Sequence, residues 1–117
     1  MSVNVAVIRG ECSRPPEVRI LPSGSALALF QVTTRAERGS TTSVPVALWD
    51  PPAWIAELGA GDEIVAVGRV RRRFFRGASG TASRVEVEAA AVARAGDRRR
   101  VPGLLRRAQA LLDELAT

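Results

Sequence analysis

Between Gly68 and Gly80 the chain reads GRVRRRFFRGASG, which sets five arginines beside two of the three phenylalanines, just ahead of a glycine-flanked turn. With Arg84, six arginines fall between positions 69 and 84, and no acidic residue stands between Glu63 and Glu86. Guanidinium groups fork bidentately onto phosphates, and a neighbouring aromatic ring offers a platform on which a base can stack. If the turn pairs Gly77 with Gly80, antiparallel register sets Phe75 opposite Ala82, Arg73 opposite Arg84, Arg71 opposite Glu86 and Arg69 opposite Glu88, all on one face. The other face carries Val70 opposite Val87, Arg72 opposite Val85 and Phe74 opposite Ser83, and leads down toward a core. A one-residue slip would exchange the two faces, so the division stands on that register. Arg69 and Arg71 then have glutamate partners and read as a solvated face, each exposed pair adding about 0.2–1 kcal/mol. Arg73, Arg76 and Arg84 have none, and single-stranded nucleic acid supplies what they and Phe75 lack: phosphates for the guanidinium groups and base faces for the ring. RNA presents the same two kinds of group as DNA.

Other chemistries find little support. All 17 basic residues are arginine, there is no histidine, and the formal net charge is +5. Without histidine the chain lacks the usual general base and the commonest zinc ligand, and its one cysteine, Cys12, cannot form an intrachain disulfide. There is no phosphate-binding glycine loop and no nucleophile elbow, and the adjacent Asp62 and Glu63 point to opposite faces of a strand. The expectation is a protein that is not an enzyme and holds no metal or other cofactor. No leader-like segment or apolar run of about 18 residues appears, so a cytoplasmic, nucleoid-associated location with no membrane partner is expected.

The elements that must position the arginines follow from periodicity. At 117 residues the chain fits one domain and an appendage. Val3, Val5 and Val7 alternate along a first strand from Ser2 to Ile8, after which Gly10 permits a bend that divides it from EVRIL. PSG reads as a turn, and SALALFQVTTR as a long strand with Ala28, Phe30 and Val32 on one face and Leu27, Leu29 and Gln31 on the other. The second apolar face calls for a cover from another element or chain. ERGSTTS reads as a loop and VPVALW as a strand, with Pro45 near its start. In DPPAWIAELG, Asp50 suits an N-cap, Pro51 a first helical position and Gly59 a stop, which predicts a short helix. Two long strands, joined at Gly77–Gly80, complete the set. This order predicts an all-β, five-stranded OB-type barrel with one short helix between its third and fourth strands. It spans residues 1–93, followed by a basic linker over 94–103 and an amphipathic helix over 104–117. In that helix Leu104, Leu105, Ala108, Leu111, Leu112 and Leu115 form a stripe that must pack on the barrel or on a second chain.

The segments GECSRPPEVRILPSG, PVALW, ELGAGDEIVAVGRVRRRFF and RVEVEAAAV, in this order, resemble the bacterial single-stranded DNA-binding proteins over nearly all of residues 2–93. The resemblance implies an OB fold that dimerises through its first strands, commonly tetramerises, and binds single-stranded DNA with little sequence preference in replication, repair and recombination. Carried over, the family's stacking aromatics fall on Phe75 and Trp49. Two further stacking positions fall near Arg38 and near Ser43 or Val44, where no aromatic stands, which implies binding that leans more on charge. The family's glycine-rich tail with its acidic tip has no counterpart here; RRR and the leucine-striped helix occupy that part of the sequence.

The expected DNA-binding set is therefore Arg71, Arg73, Phe75, Arg76 and Arg84, with Trp49, Arg35 and Arg38 extending the track. Arg14 and Arg19 also bear on such a track, although scattered surface arginines are usually only solvated. Trp49 is balanced between a stacking platform and a core residue, whereas Trp54 and Phe30 read as packing. A second function class stays open: an interaction or assembly module whose outer apolar face and C-terminal helix bind protein, with homo-oligomerisation as dimer or tetramer and nucleic-acid contact incidental.

Overall fold

A computed structural model describes residues 2–114. Six strands and one helix follow in order: β1 (Ala6–Cys12), β2 (Glu17–Ile20), β3 (Ala26–Arg35), β4 (Thr41–Trp49), β5 (Glu63–Gly77), β6 (Gly80–Arg94) and α1 (Val101–Asp113). β1 pairs antiparallel with β5 at one edge and, through Glu11 and Cys12, with β3 at the other. β5 pairs with β6, β6 runs parallel to β4, and β4 pairs with β3. The five strands β1, β3, β4, β6 and β5 thus close into a ring, and the short β2 extends the edge of β3 beyond the point where β1 leaves it. A closed five-stranded ring with one parallel pair is the expected OB fold, and closure leaves little free strand edge.

Two glycines make the closure possible. A Cβ at Gly10 would sit 2.3 Å from the carbonyl oxygen of Thr33, and one at Gly68 would sit 2.0 Å from that of Glu88. Gly10 therefore does not divide the first strand, as the sequence suggested. It lies inside β1, where that strand passes from β5 to β3, and the break before β2 falls instead at Ser13–Pro16. Gly68 adjoins a register shift between β5 and β6, of the kind that bends a long hairpin. Inward-facing Ala28, Phe30, Val32, Val46, Leu48, Ile64 and Val87 fill the barrel. In β1 it is Ala6 and Ile8 that pack against this core, while Val3 and Val7 of the alternating valine set are exposed.

The short helix between the OB fold's third and fourth strands is a single 3-10 turn, Ala53–Glu57, which follows β4. Asp50 does not cap it. That residue is held at φ 48°, donates its N–H to the Ala26 carbonyl at 2.8 Å, and accepts the Ala26 N–H on its carboxylate at 3.3 Å. Tied back to β3, Asp50 closes a strand end, and the extended Pro52 behind it leaves room for only one turn before Leu58. The turn still plugs the barrel, because Ile55 and Leu58 are both buried. Trp54 packs against the same core under the Arg94 guanidinium, 5.5 Å from its ring centre, as a packing role predicts.

β6 ends at Arg94, and α1 begins at Val101 rather than Leu104. The Pro and Gly that read as linker lie inside its first turn, where a proline's missing N–H removes no helical hydrogen bond. Asp97 organises the approach by accepting the N–H groups of Arg99 and Arg100 on its carboxylate, both at 3.1 Å. The helix lies against β5 and β6, burying Ala108 and lining a cleft with Arg107 and Leu111. Leu105 and Leu112 stay exposed, so the stripe packs on the barrel along one edge only. Leu115 lies outside the described residues. Among the described residues no helix is long and apolar enough to cross a membrane.

Candidate functional site

The β5–β6 hairpin has the register expected from its turn: Gly77 pairs with Gly80, Phe75 with Ala82, Arg73 with Arg84, Arg71 with Glu86 and Arg69 with Glu88. Alternation from that turn sets both faces. The arginines, however, take partners that differ from the opposed pairs. Arg69 bonds Glu88 at 3.0 Å as expected, but Arg71 turns to the other oxygen of Glu88 instead of to Glu86. Together they hold the Glu88 carboxyl below its ordinary range, mainly through the Arg71 hydrogen bond against the opposing effect of burial, with Arg69 adding a smaller share.

Glu86 belongs to Arg73. The Arg73 Nε donates to Glu86 Oε1 at 2.6 Å, and the glutamate is only 4% exposed. The expectation that Arg73 stands unmatched opposite Arg84 is thus corrected: a diagonal step along the ladder brings it to a buried carboxylate whose desolvation demands a partner. Arg84 instead lies over the Phe75 ring, 5.8 Å from its centre. Neither Arg76 nor Arg84 has a carboxylate within ion-pairing distance among the described residues.

A groove opens beside these side chains. One part, of about 450 Å³, is lined by Arg14 and Arg19 on one side, Leu29, Gln31 and Pro45 on the floor, and Arg84 with Glu86 on the other. The adjoining part, of about 290 Å³, shares Arg19, Leu29, Arg84 and Glu86 and adds Arg73, Phe75 and Arg76. The topology explains why these distant segments meet. β3 and β4 present the face opposite to the core, β2 rises along the edge of β3, and the long hairpin reaches past the point where β6 leaves β4 at Val46–Val87. Arg19 is partly committed, since its Nε donates to Glu17 at 2.9 Å and depresses that carboxyl. Arg14 makes no ion pair among the described residues, although its charge also helps to lower the Glu17 carboxyl. Of the apolar outer face of β3 noticed in the sequence, the half-buried Leu29 lies on the groove floor, while Leu27 is buried beside Trp49, its cross-strand partner.

The remaining predicted residues spread along this surface. Trp49 ends β4 at 40% exposure, on the groove side of the sheet and paired with Leu27, which in turn pairs with Arg19. Its exposure takes it out of the core. Arg35 and Arg38 lie at the opposite end of the β3–β4 hairpin from Trp49, both exposed, with Arg38 in the tight turn between the strands. Arg71 is engaged with Glu88 beside the base of the hairpin and does not line the groove. Sequence reasoning missed Glu86 and Gln31 as groove residues and left Arg14 and Arg19 as background. The available signal was the lone acid within reach of Arg73; no local pattern reports that β2 and the hairpin tip meet.

The expectation that the second hairpin face leads into a core is also corrected. Val87 is buried, but Val70, Phe74 and Val85 are exposed, because the hairpin projects beyond the barrel and both of its faces meet solvent there. A groove with a half-apolar floor, unpaired guanidinium groups and an exposed ring is chemically suited to a flexible polyanion carrying flat apolar groups.

No family model matches the chain. A single-stranded DNA-binding protein from Thermus thermophilus is 31% identical to it over 84 residues, covering 68% of this chain and 32% of that protein. A second Thermus thermophilus sequence of the same name gives the same figures. The chain thus spans about a third of the length of the curated relatives it matches.

Proposed function

The barrel belongs to the single-stranded DNA-binding protein family, and on that footing we propose that this protein binds single-stranded DNA through the groove between β2 and the β5–β6 hairpin. One observation carries the reading: Arg14, Arg76 and Arg84, which make no ion pair among the described residues, converge with Phe75 over the outer face of β3. Guanidinium groups hold phosphates, the ring takes a base, and nothing in the groove resembles the hydrogen-bond code that reads base identity, so binding tolerates sequence. The role is one of binding without catalysis, in replication, repair or recombination. Trp49 continues the groove along β4, and Arg35 with Arg38 extends the basic surface at the other end. Titration of oligo-dT against duplex DNA of the same length, at two salt concentrations, tests this. The single strand binds more tightly and weakens steeply with salt; equal binding of both forms would point to a duplex-binding surface instead.

The exposed Leu105 and Leu112 of α1 favour a second reading, in which the helix serves self-assembly alongside DNA binding. Sedimentation of the Leu105→Glu/Leu112→Glu variant separates the two roles: a smaller particle with intact DNA affinity makes the helix an assembly surface, and an unchanged particle removes that reading.

A further inference from the structure

The tip of the β5–β6 hairpin has a reverse face that the groove does not use. Phe74, at 68% exposure, is the most exposed aromatic side chain in the described chain and points away from Phe75. Beside it Arg72, with no carboxylate partner among the described residues, donates to Ser83 Oγ at 2.9 Å. Val70 and Val85 continue this face toward the buried Val87. Ring and guanidinium therefore recur on the reverse side in the combination that the groove presents. The two faces are joined by Gly77, Ala78, Ser79 and Gly80, whose side chains are too small to obstruct a strand crossing the tip. β4 and β6 run parallel through Val46–Val87, so the β3–β4 turn bearing Arg38 leaves the barrel at the same end as this tip.

We propose that Phe74 and Arg72 form a second contact face for the same single strand, which leaves the groove at Phe75, crosses the hairpin tip and stacks a further base on Phe74. The inference rests on the groove reading. Charge decides for nucleic acid over a protein partner: between Glu63 and Glu86 the hairpin carries six arginines and no acid, and a second copy of it would be repelled at this tip.

Two oligo-dT lengths test it on the full chain, one of about 6 nucleotides that fills the groove alone and one of about 20 that can cross the tip. Phe74→Ala leaves the short oligonucleotide's affinity unchanged and weakens the long one by about 5- to 150-fold, the range for one lost base stack. Phe75→Ala weakens both. In a Phe74→Trp variant, added fluorescence is quenched by the long oligonucleotide and not by the short one. If Phe74→Ala binds both lengths as the unaltered protein does while Phe75→Ala loses affinity, the reverse face is overturned and the groove stands. If neither variant changes binding, both readings fall. A shift in sedimentation of Phe74→Ala without change in DNA affinity would make this a self-association face and overturn the inference.

Discussion

Replacing Arg76 and Arg84 together by glutamine isolates the electrostatic part of the groove. Neither side chain holds up the fold: both are exposed, neither has an ion pair among the described residues, and Arg84 lies over the Phe75 ring. With Arg14 they make three guanidinium groups available to phosphate, since Arg73 is bound to Glu86 and Arg19 to Glu17. Three neutralised phosphates on a single strand give a slope of about −2.1 in log affinity against log salt, so raising salt from about 50 to 200 mM weakens binding by about 18-fold. Leaving Arg14 alone reduces the slope to about −0.7 and the loss over the same range to about 2.6-fold. Fluorescence titration of an oligo-dT of about 6 nucleotides, which fills the groove without reaching Arg72, Arg35 or Arg38, over a salt series and with thermal unfolding as a check on the fold, reads both numbers. Phe75 remains in place and loses only its cover, so the change registers in the slope. A double variant that folds normally and keeps the slope of the unaltered protein would refute the assignment of phosphates to these arginines.

Arg73 behaves differently, because its removal strands a buried carboxylate. Arg73→Ala lowers unfolding free energy by about 3 kcal/mol in a urea titration, the lower end for a broken buried pair given that Arg73 is itself partly exposed, and adding Glu86→Gln recovers most of it. Gly10→Ala drives a Cβ into the Thr33 carbonyl and separates β1 from β3, lowering Tm by about 5–20 °C, whereas Gly96→Ala, with open space around it, leaves Tm unchanged. Acid removes the Glu88 pairs. The folded carboxyl titrates below its ordinary value of 4.5, so the unfolded chain binds the proton first and the pairs stabilise fully above that pH. Their contribution disappears as pH falls through the lower folded value, and Glu88→Gln flattens the fall of the urea midpoint below the ordinary value of 4.5.

The hairpin was legible in the sequence down to its residue pairs, because register is a local property. A tight glycine turn pins one end, and the two-residue period of a strand assigns every side chain to a face. The order of strands was legible for the same reason, and the inward Phe30 followed from its alternation with Ala28 and Val32. The helix after β4 was misread for a physical reason. Asp50 and Pro51 carry the marks of a helix start, but Asp50 spends its hydrogen bonds on Ala26, twenty-four residues away in the chain, which local propensity does not register. The proline and glycine in the first turn of α1 misled in the opposite sense, reading as linker although either residue can sit there.

By itself the sequence determined that this chain carries a basic, aromatic-bearing hairpin on a small barrel, because composition and alternation are written residue by residue. Only the tertiary structure decided which arginines are free. Opposed pairs along the ladder predicted Arg71 with Glu86 and an unmatched Arg73. The buried Glu86 takes Arg73 while Arg71 turns to Glu88, and that exchange leaves the free charge outward at Arg76 and Arg84. Closure of the ring then brought Arg14 and Arg19 across β3 to face them. Both steps depend on desolvation and on contacts between residues far apart in the chain, and neither leaves a period or a motif behind.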